Sequence, residues 1–315
     1  MQRLDYLDNI RGVAILFVLI YHFFYIYPME SGVIYFQELY KINELLNFGA
    51  IGVSLFFILS GFLMAASMDK NISPYKFLIK RFNRIFPVYW IVIILTTLIY
   101  NYIGYKDISL IQFIMNFFMI QDIFYGSKHI DGVFWSILIE IKFYILCFFI
   151  IIFNQYKNIK YFFLIMLIFS IFAVLSRIYL NKDIGFGIFL YFSIMLNGML
   201  FYKFINNNEK TFLYVQPIYL LYLFTISSYA YGKSSYSYAW VISIILFLLF
   251  YKFKFKSKIL SFFALISYSL YLIHQNLSYL IMNYFDKNIY LGLLFAFTIS
   301  TLFSYYLYKF IEKSR

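Results

Sequence analysis

Long apolar runs separated by short charged segments set the pattern of the chain. They fall at about 10–27, 48–68, 87–104, 133–153, 161–180, 185–204, 212–231, 236–251, 259–284 and 288–310. Crossing a hydrocarbon core of about 30 Å takes roughly 20 helical residues, so the pattern predicts about ten crossings. The runs are continuous and do not alternate in strands of about ten residues, which favours helices over a barrel despite 42 Phe and 34 Tyr. The expected fold is an all-α integral membrane bundle. With the N-terminus inside, the inner segments hold 18 Lys and Arg and the outer ones 7, among the latter Lys182 and Lys233, and Lys142 is left inside a span. This bias places both termini, with Arg3 and Arg315, in the cytoplasm. The outer loop at 105–132 holds a further apolar stretch, Leu110 to Ile120, too short to cross and expected as a re-entrant or interfacial helix that forms a lid.

Composition narrows the class. At 63% hydrophobic and 13% charged, the 315 residues lie far from the roughly 45 to 50% apolar and about 25% charged of a soluble domain. The spans leave no room for a second, soluble domain. A net charge of +12 is accounted for by Lys and Arg in cytoplasmic loops, so nucleic acid is not expected as a partner. The lone Cys147 forms no disulfide within the chain. The three histidines are scattered with no cluster at ligand spacing, so no metal site is expected. The first apolar stretch follows Arg3 and Arg11 but lacks a small-residue cleavage site and is expected to be retained. No inverted repeat of the secondary-transporter kind stands out.

Ionisable groups inside spans are costly and therefore functional candidates. Arg11 and His22 are 11 residues apart, which at about 100° per residue is close to three full turns, so both face one side of the first helix about 16 Å apart. Arg11 then lies near the cytoplasmic surface and His22 in the outer half. Glu140 is about seven residues into a span that enters from outside, at a depth like that of His22, which lets the two meet. A carboxylate beside an imidazole suits a general base that takes a proton from a hydroxyl; the alternatives are pairing of Glu140 with Lys142, or a merely structural His22. Before Pro87, which suits the first turn of the next helix, the inner loop 69–87 carries Lys76, Lys80, Arg81 and Arg84. Arg81 and Arg84, at i and i+3, fit either a phosphate grip or contacts to anionic lipid headgroups. The run Lys252, Lys254, Lys256, Lys258 fits headgroup contacts alone. His274 lies mid-way along the ninth span in a polar stripe that begins at Ser267, and His129 reads as a loop-packing histidine.

Five elements in order carry a resemblance. They are Leu7-Asp-Asn-Ile-Arg-Gly12 with Arg11-x10-His22; Phe57-Ile-Leu-Ser60-Gly61-Phe62; Arg81, Arg84, Pro87 and Tyr89; Trp135, Ser136, Glu140, Phe143 and Tyr144; and Ser267-Tyr-Ser-Leu-Tyr-Leu-Ile-His274. Together they resemble the membrane-bound acyltransferase 3 family, bacterial enzymes that O-acylate cell-surface polysaccharides and related glycans. The sequence departs from it at Ile141 and Lys142, where many members carry Glu or Gln. Ending at Arg315, the chain looks like the standalone form without an appended esterase-like domain, a single transmembrane acyltransferase domain over 1–315.

The resemblance implies an O-acyltransferase of the bacterial inner membrane. Its donor is acyl-coenzyme A on the cytoplasmic side, most simply acetyl-CoA, and its acceptor a hydroxyl of a surface or exopolysaccharide sugar or of a lipid-linked precursor. A polysaccharide-assembly partner is also implied. His22 and Glu140 are the expected catalytic pair; Arg11, Arg81 and Arg84 the donor-binding residues; Trp135, Ser136, Tyr144 and His274 the substrate-site residues. Two courses are open to His22: general base, or transient carrier of the acyl group. Ser60-Gly61 reads as a close-packing site in preference to a nucleophile. The competing function is a transporter or flippase of a glycolipid or acylated substrate, for which the buried charges form a translocation path; a scaffold subunit, tolerant of losing both His22 and Glu140, is the third.

Overall fold

The fold was obtained as a computed structural model, which describes residues 5–122, 128–181, 185–231, 234–285 and 287–313. Arg3, Lys182, Lys233 and Arg315, and residues 123–127 of the outer loop, lie outside the described residues. Those described contain helices and no strand. Among the described residues eight helices are long and apolar enough to cross a membrane, and Thr211–Thr225 and Lys258–Ile273 are shorter apolar helices.

The helices in chain order are α1 (Asp5–Tyr21), a π-helical turn at His22–Ile26, α2 (Tyr27–Ser31), α3 (Gln37–Leu46), α4 (Phe48–Met68), α5 (Pro74–Ile103), α6 (Leu110–Phe117), α7 (Phe134–Ile152), α8 (Ile159–Leu180), α9 (Phe186–Asn207), α10 (Thr211–Tyr231), α11 (Ser234–Phe253), α12 (Lys258–Ile273), α13 (Asn276–Tyr284) and α14 (Ile289–Leu307). Asparagine closes several of them: Asn47, Asn181 and Asn208 each take a left-handed conformation at a helix end. A short polar side chain tolerates that region better than any other non-glycine residue.

Contacts divide the chain into two compact units, residues 1–77 with 142–264, and residues 78–141 with 265–315. In the first unit α4 is central and packs against α1, α9 and α11, with α8 against α9 and α10 against α11. Small residues allow the close approach, as they do where hydrocarbon surrounds the helices. Gly61 of α4 meets the backbone of Met195 in α9, and Gly198 of α9 meets the backbone of Ile58 in α4. The loop before α12 is tied down by Asn9, whose side chain donates to the Phe255 carbonyl at 2.7 Å and accepts from the Ser257 N–H at 3.3 Å. Lys203 of α9, 2% exposed, is paired with Glu209 at 2.7 Å and lies 5.0 Å from the Tyr156 ring.

In the second unit α13 packs on α14, and the Tyr89 and Phe134 rings join α5 to α7 edge to face at 5.1 Å. Tyr89 and Trp90 of α5 donate to the carbonyls of Asn116 and Phe117 at 2.7 and 3.1 Å, holding α6 in place. The short helix expected between Leu110 and Ile120 is thus present as α6, N-capped by Ser109.

Two sequence expectations are corrected. The segment 69–87 is not a loop up to Pro87: α5 is helical from Pro74, with Pro87 inside it. Lys and Arg are good helix formers, and a helix of 30 residues, about 45 Å, continues past the roughly 30 Å hydrocarbon core. Proline within such a helix is tolerated where neighbours satisfy the freed backbone. The run 259–284 is not one helix but two, broken at His274 and Gln275.

Candidate functional site

In the first unit α1 carries Arg11 near its start, and the π-helical turn begins at His22. π-Turns are rare and concentrate at functional sites. Arg11 is half-buried and sits 3.7 Å from Asp8, so its guanidinium is already partly compensated by a carboxylate one turn earlier. The His22 ring stands perpendicular to that of Tyr21 at 5.4 Å. A cavity of about 220 Å³ opens at this end of α1, between Tyr21, Tyr25, Asn43, Glu44, Asn47 and Tyr236. Tyr144, also in this unit, is buried against Phe77 edge to face at 6.4 Å.

The second unit holds Arg81, Arg84, Trp135, Ser136, Glu140 and His274. Its polar groups form a track that runs from buried to half-buried positions. The Ser136 hydroxyl lies 2.6 Å from that of Tyr271, and Glu140 is within electrostatic reach of both Tyr271 and Tyr268. Arg84 and Glu312 also act on Tyr268, whose hydroxyl donates to the Ile85 carbonyl at 2.8 Å. Glu312 accepts in turn from Ser269. Of the residues singled out in the sequence, this brings Arg84 and Glu140 to one tyrosine and Ser136 to the polar stripe of α12. His274 is fully buried at the break after α12, with Nδ1 2.8 Å from the Tyr271 carbonyl. His22 and Glu140 belong to different units, and so do Arg11 and the Arg81–Arg84 pair.

Sequence reasoning missed Asp131. Its side chain is fully buried, Oδ1 accepts from the Val133 N–H at 2.9 Å, and Oδ2 has no hydrogen-bond partner. Burial raises its carboxyl to about 7, against the opposing pull of the Val133 N–H, Lys106 and the Asn276 N–H. An Asp-Gly pair before a helix reads as an ordinary turn, and nothing in that signal announces burial. Tyr100 and Asn276, hydrogen-bonded to each other in the same unit, were missed likewise. His129 behaves as read, 3.0 Å from Gln121 and 3.6 Å from Asp122 within its loop. No group of three or more His, Cys, Asp or Glu that could hold a metal occurs among the described residues.

Comparison with known proteins gives these groups a context. The family profile of the acyltransferase 3 family, described as an acyltransferase domain, matches residues 4–309. An "O-acetyl transferase" of Shigella phage Sf6 is 28% identical over 216 residues, 64% of this chain and 61% of that protein. "Nodulation protein 10" of Rhizobium leguminosarum bv. viciae is 29% identical over 119 residues, 32% of each chain. "Exopolysaccharide production protein ExoZ" of Rhizobium meliloti (strain 1021) is 39% identical over 57 residues, 18% of each. The chain therefore aligns with less than two thirds of the length of each of these relatives. No solved structure matches it. With the profile running from residue 4 to residue 309, this chain belongs to the acyltransferase 3 family.

Proposed function

We propose that the protein is a membrane O-acyltransferase that moves an acyl group, acetyl in the simplest case, from cytoplasmic acyl-CoA to a sugar hydroxyl. The acceptor is a surface or exopolysaccharide or its lipid-linked precursor, and the setting is a bundle of about ten spans in the bacterial inner membrane with both termini in the cytoplasm. The observation that carries it is α1 itself. One helix bears a guanidinium at Arg11 and, about 16 Å further on, an imidazole at the first residue of a π-turn whose Tyr25 and Ile26 line a polar, aromatic cavity. The family profile and the phage relative support the same reaction class.

In this reading the acceptor hydroxyl oxygen attacks the thioester carbonyl, the C–S bond breaks, and the proton passes through His22 to the departing thiolate. A transient acyl-imidazole on His22 is the alternative route. Glu140 is assigned the supporting carboxylate, and Arg11, Arg81 and Arg84 the donor's phosphates, for which guanidinium forks are suited. Trp135, Ser136, Tyr144 and His274 are assigned to the substrate path; of these, Ser136 and His274 stand in the second unit's polar track.

The test compares wild type with His22→Ala, reconstituted at matched folded yield, for acetyl-CoA turnover read as free thiol. The expected result is wild-type turnover that falls by about two orders of magnitude or more in the variant, the scale of general-base loss. Unchanged turnover in the variant overturns the role of His22. A wild type that moves glycolipid between leaflets without releasing thiol identifies a flippase instead.

A further inference from the structure

The cavity lined by Tyr21 and by Tyr25 and Ile26 of the π-turn has a composition that the acyl-transfer step alone does not require. Its walls come from three stretches of the first unit: the end of α1 with the π-turn, the α3–α4 corner, and the start of α11. Tyr21 and Tyr25, four residues apart across the π-turn, stack at 5.4 Å with 27° between their planes. Tyr40 lies against Tyr25 at 4.9 Å. Tyr21 is held flat because α4 presents Gly49 to its ring: a Cβ there would come within 2.4 Å of it. Tyr236 acts electrostatically on both Tyr21 and Tyr25, so the aromatic walls converge.

The polar wall is equally fixed. Asn47 caps α4, its side chain accepting from the Ala50 N–H at 3.0 Å. Asn43 donates to the Leu39 carbonyl at 3.0 Å, which leaves Oδ1 as the outstanding group. That oxygen is buried, on a side chain 1% exposed, and has no hydrogen-bond partner. A buried acceptor left unmatched is destabilising, and a ligand hydroxyl at this position removes the cost. Glu44, the one charged side chain lining the cavity, lies on its exposed rim.

Resting on the acyltransferase reading above, we infer that this cavity seats one neutral pyranose ring of the acceptor, its apolar face on the tyrosines and its hydroxyls on Asn43 and Glu44. Aromatic faces offer a large, rigid apolar surface and phenols a polar edge; amide and carboxylate oxygens accept from adjacent hydroxyls. At about 220 Å³ it is smaller than the roughly 300–1,000 Å³ of pockets that enclose a drug-sized molecule, so it takes a single ring. The Glu44 carboxylate selects against acidic sugars by like-charge repulsion.

The experiment is saturation-transfer NMR on the full chain in detergent, with methyl glycosides of glucose, galactose, mannose, rhamnose and N-acetylglucosamine, and of glucuronic acid as the anionic probe. At least one neutral glycoside is expected to receive saturation and glucuronide none. Asn43→Leu is expected to weaken that binding roughly three- to tenfold, the scale of one neutral hydrogen bond, and Asn43→Asp to retain an acceptor oxygen and bind the neutral glycoside more tightly than Asn43→Leu. Glu44→Ala, on the exposed rim, is the second variant and is expected to admit glucuronide. No transfer to any neutral glycoside, or binding equal in wild type and Asn43→Leu, overturns the proposal. Sugar binding intact with no thiol release from acetyl-CoA overturns the acyltransferase reading and leaves the sugar pocket standing.

Discussion

Where α4 crosses α9 the two helices touch through glycine, and the geometry there sets a quantitative expectation for Gly61→Ala. A Cβ on Gly61 falls 1.7 Å from the Met195 carbonyl oxygen, whereas ordinary contact begins at 3.4 Å. The opposing atom is backbone, so it cannot swing aside; the helices must part by roughly 1.5 Å and loosen an interior packed at crystal-like density. Overpacking of this kind costs about 1–3 kcal/mol, and a backbone clash on both sides of a buried crossing puts it at the upper end. Alanine recovers about 1 kcal/mol through better helix propensity. Strain therefore wins, with a net loss of about 2 kcal/mol, which at roughly 2–4 °C per kcal/mol lowers the melting midpoint by about 4–8 °C. Gly198→Ala, whose Cβ falls 2.1 Å from the Ile58 carbonyl oxygen, is expected to behave alike. The double variant should cost less than the two together, because one separation relieves both clashes. Gly292→Ala is the control, since its Cβ meets Phe285 and Met282 at 3.2–3.3 Å and a few tenths of an ångström suffice. Thermal melts of the purified variants in one detergent decide the matter. Midpoints for Gly61→Ala and Gly198→Ala equal to that of Gly292→Ala would refute the account of this crossing.

Three further outcomes follow from other sites. Asp131 titrates near 7 in the fold against an ordinary 3.8, so the folded protein holds its proton more tightly; the stability this gives is full below about pH 4 and lost as pH rises through 7, a span of about 4 kcal/mol at most. Wild-type melting should fall across that window and Asp131→Asn should flatten the slope; an unaltered slope in the variant rejects the assignment. At the Lys203–Glu209 pair, Glu209→Gln leaves a buried ammonium without its partner and should cost about 3 kcal/mol, whereas Lys203→Met leaves only a carboxylate 38% exposed and should cost clearly less in the same melts; the reverse order would show that the charge is not what matters. Ser60, beside Gly61 in the crossing, is read as packing, so Ser60→Ala should keep acetyl-CoA turnover within about twofold, and a hundredfold loss would mark it as a nucleophile.

The limits of α4, 48–68, and nearly those of α7 were readable from the apolar runs, because such a run admits only one structure in hydrocarbon. Helix ends in water were not. Lys76, Lys80, Arg81 and Arg84 looked like a loop by charge, yet α5 runs through them, since a water-exposed helix and a water-exposed loop carry the same residues. His274 was found as polar, but its place at a helix break depends on tertiary partners that periodicity does not report. The motifs hold Arg84, Ser136, Glu140, Tyr268 and Tyr271, but motif order does not report which of them meet, and Glu312, which joins them, gives a signal lost in a basic C-terminal segment. The cavity at the π-turn was invisible for a different reason. Its residues come from three distant stretches, and Tyr21 and Tyr25 stack across a π-turn that a count of 3.6 residues per turn does not anticipate.

Asp131 also has a mechanical meaning. One carboxyl accepts from the Val133 N–H, just before α7 begins, and lies within reach of the Asn276 N–H, where α13 starts after the break. A Cβ on the neighbouring Gly132 would meet the Gln275 side chain at 3.0 Å. The starts of α7 and α13 thus both face one carboxyl, which couples a displacement of α13 to the turn that carries Trp135 and Ser136. Amide exchange would register this as shared behaviour: the N–H groups of Val133 and Asn276 should open together, and Asp131→Ala should let them exchange independently.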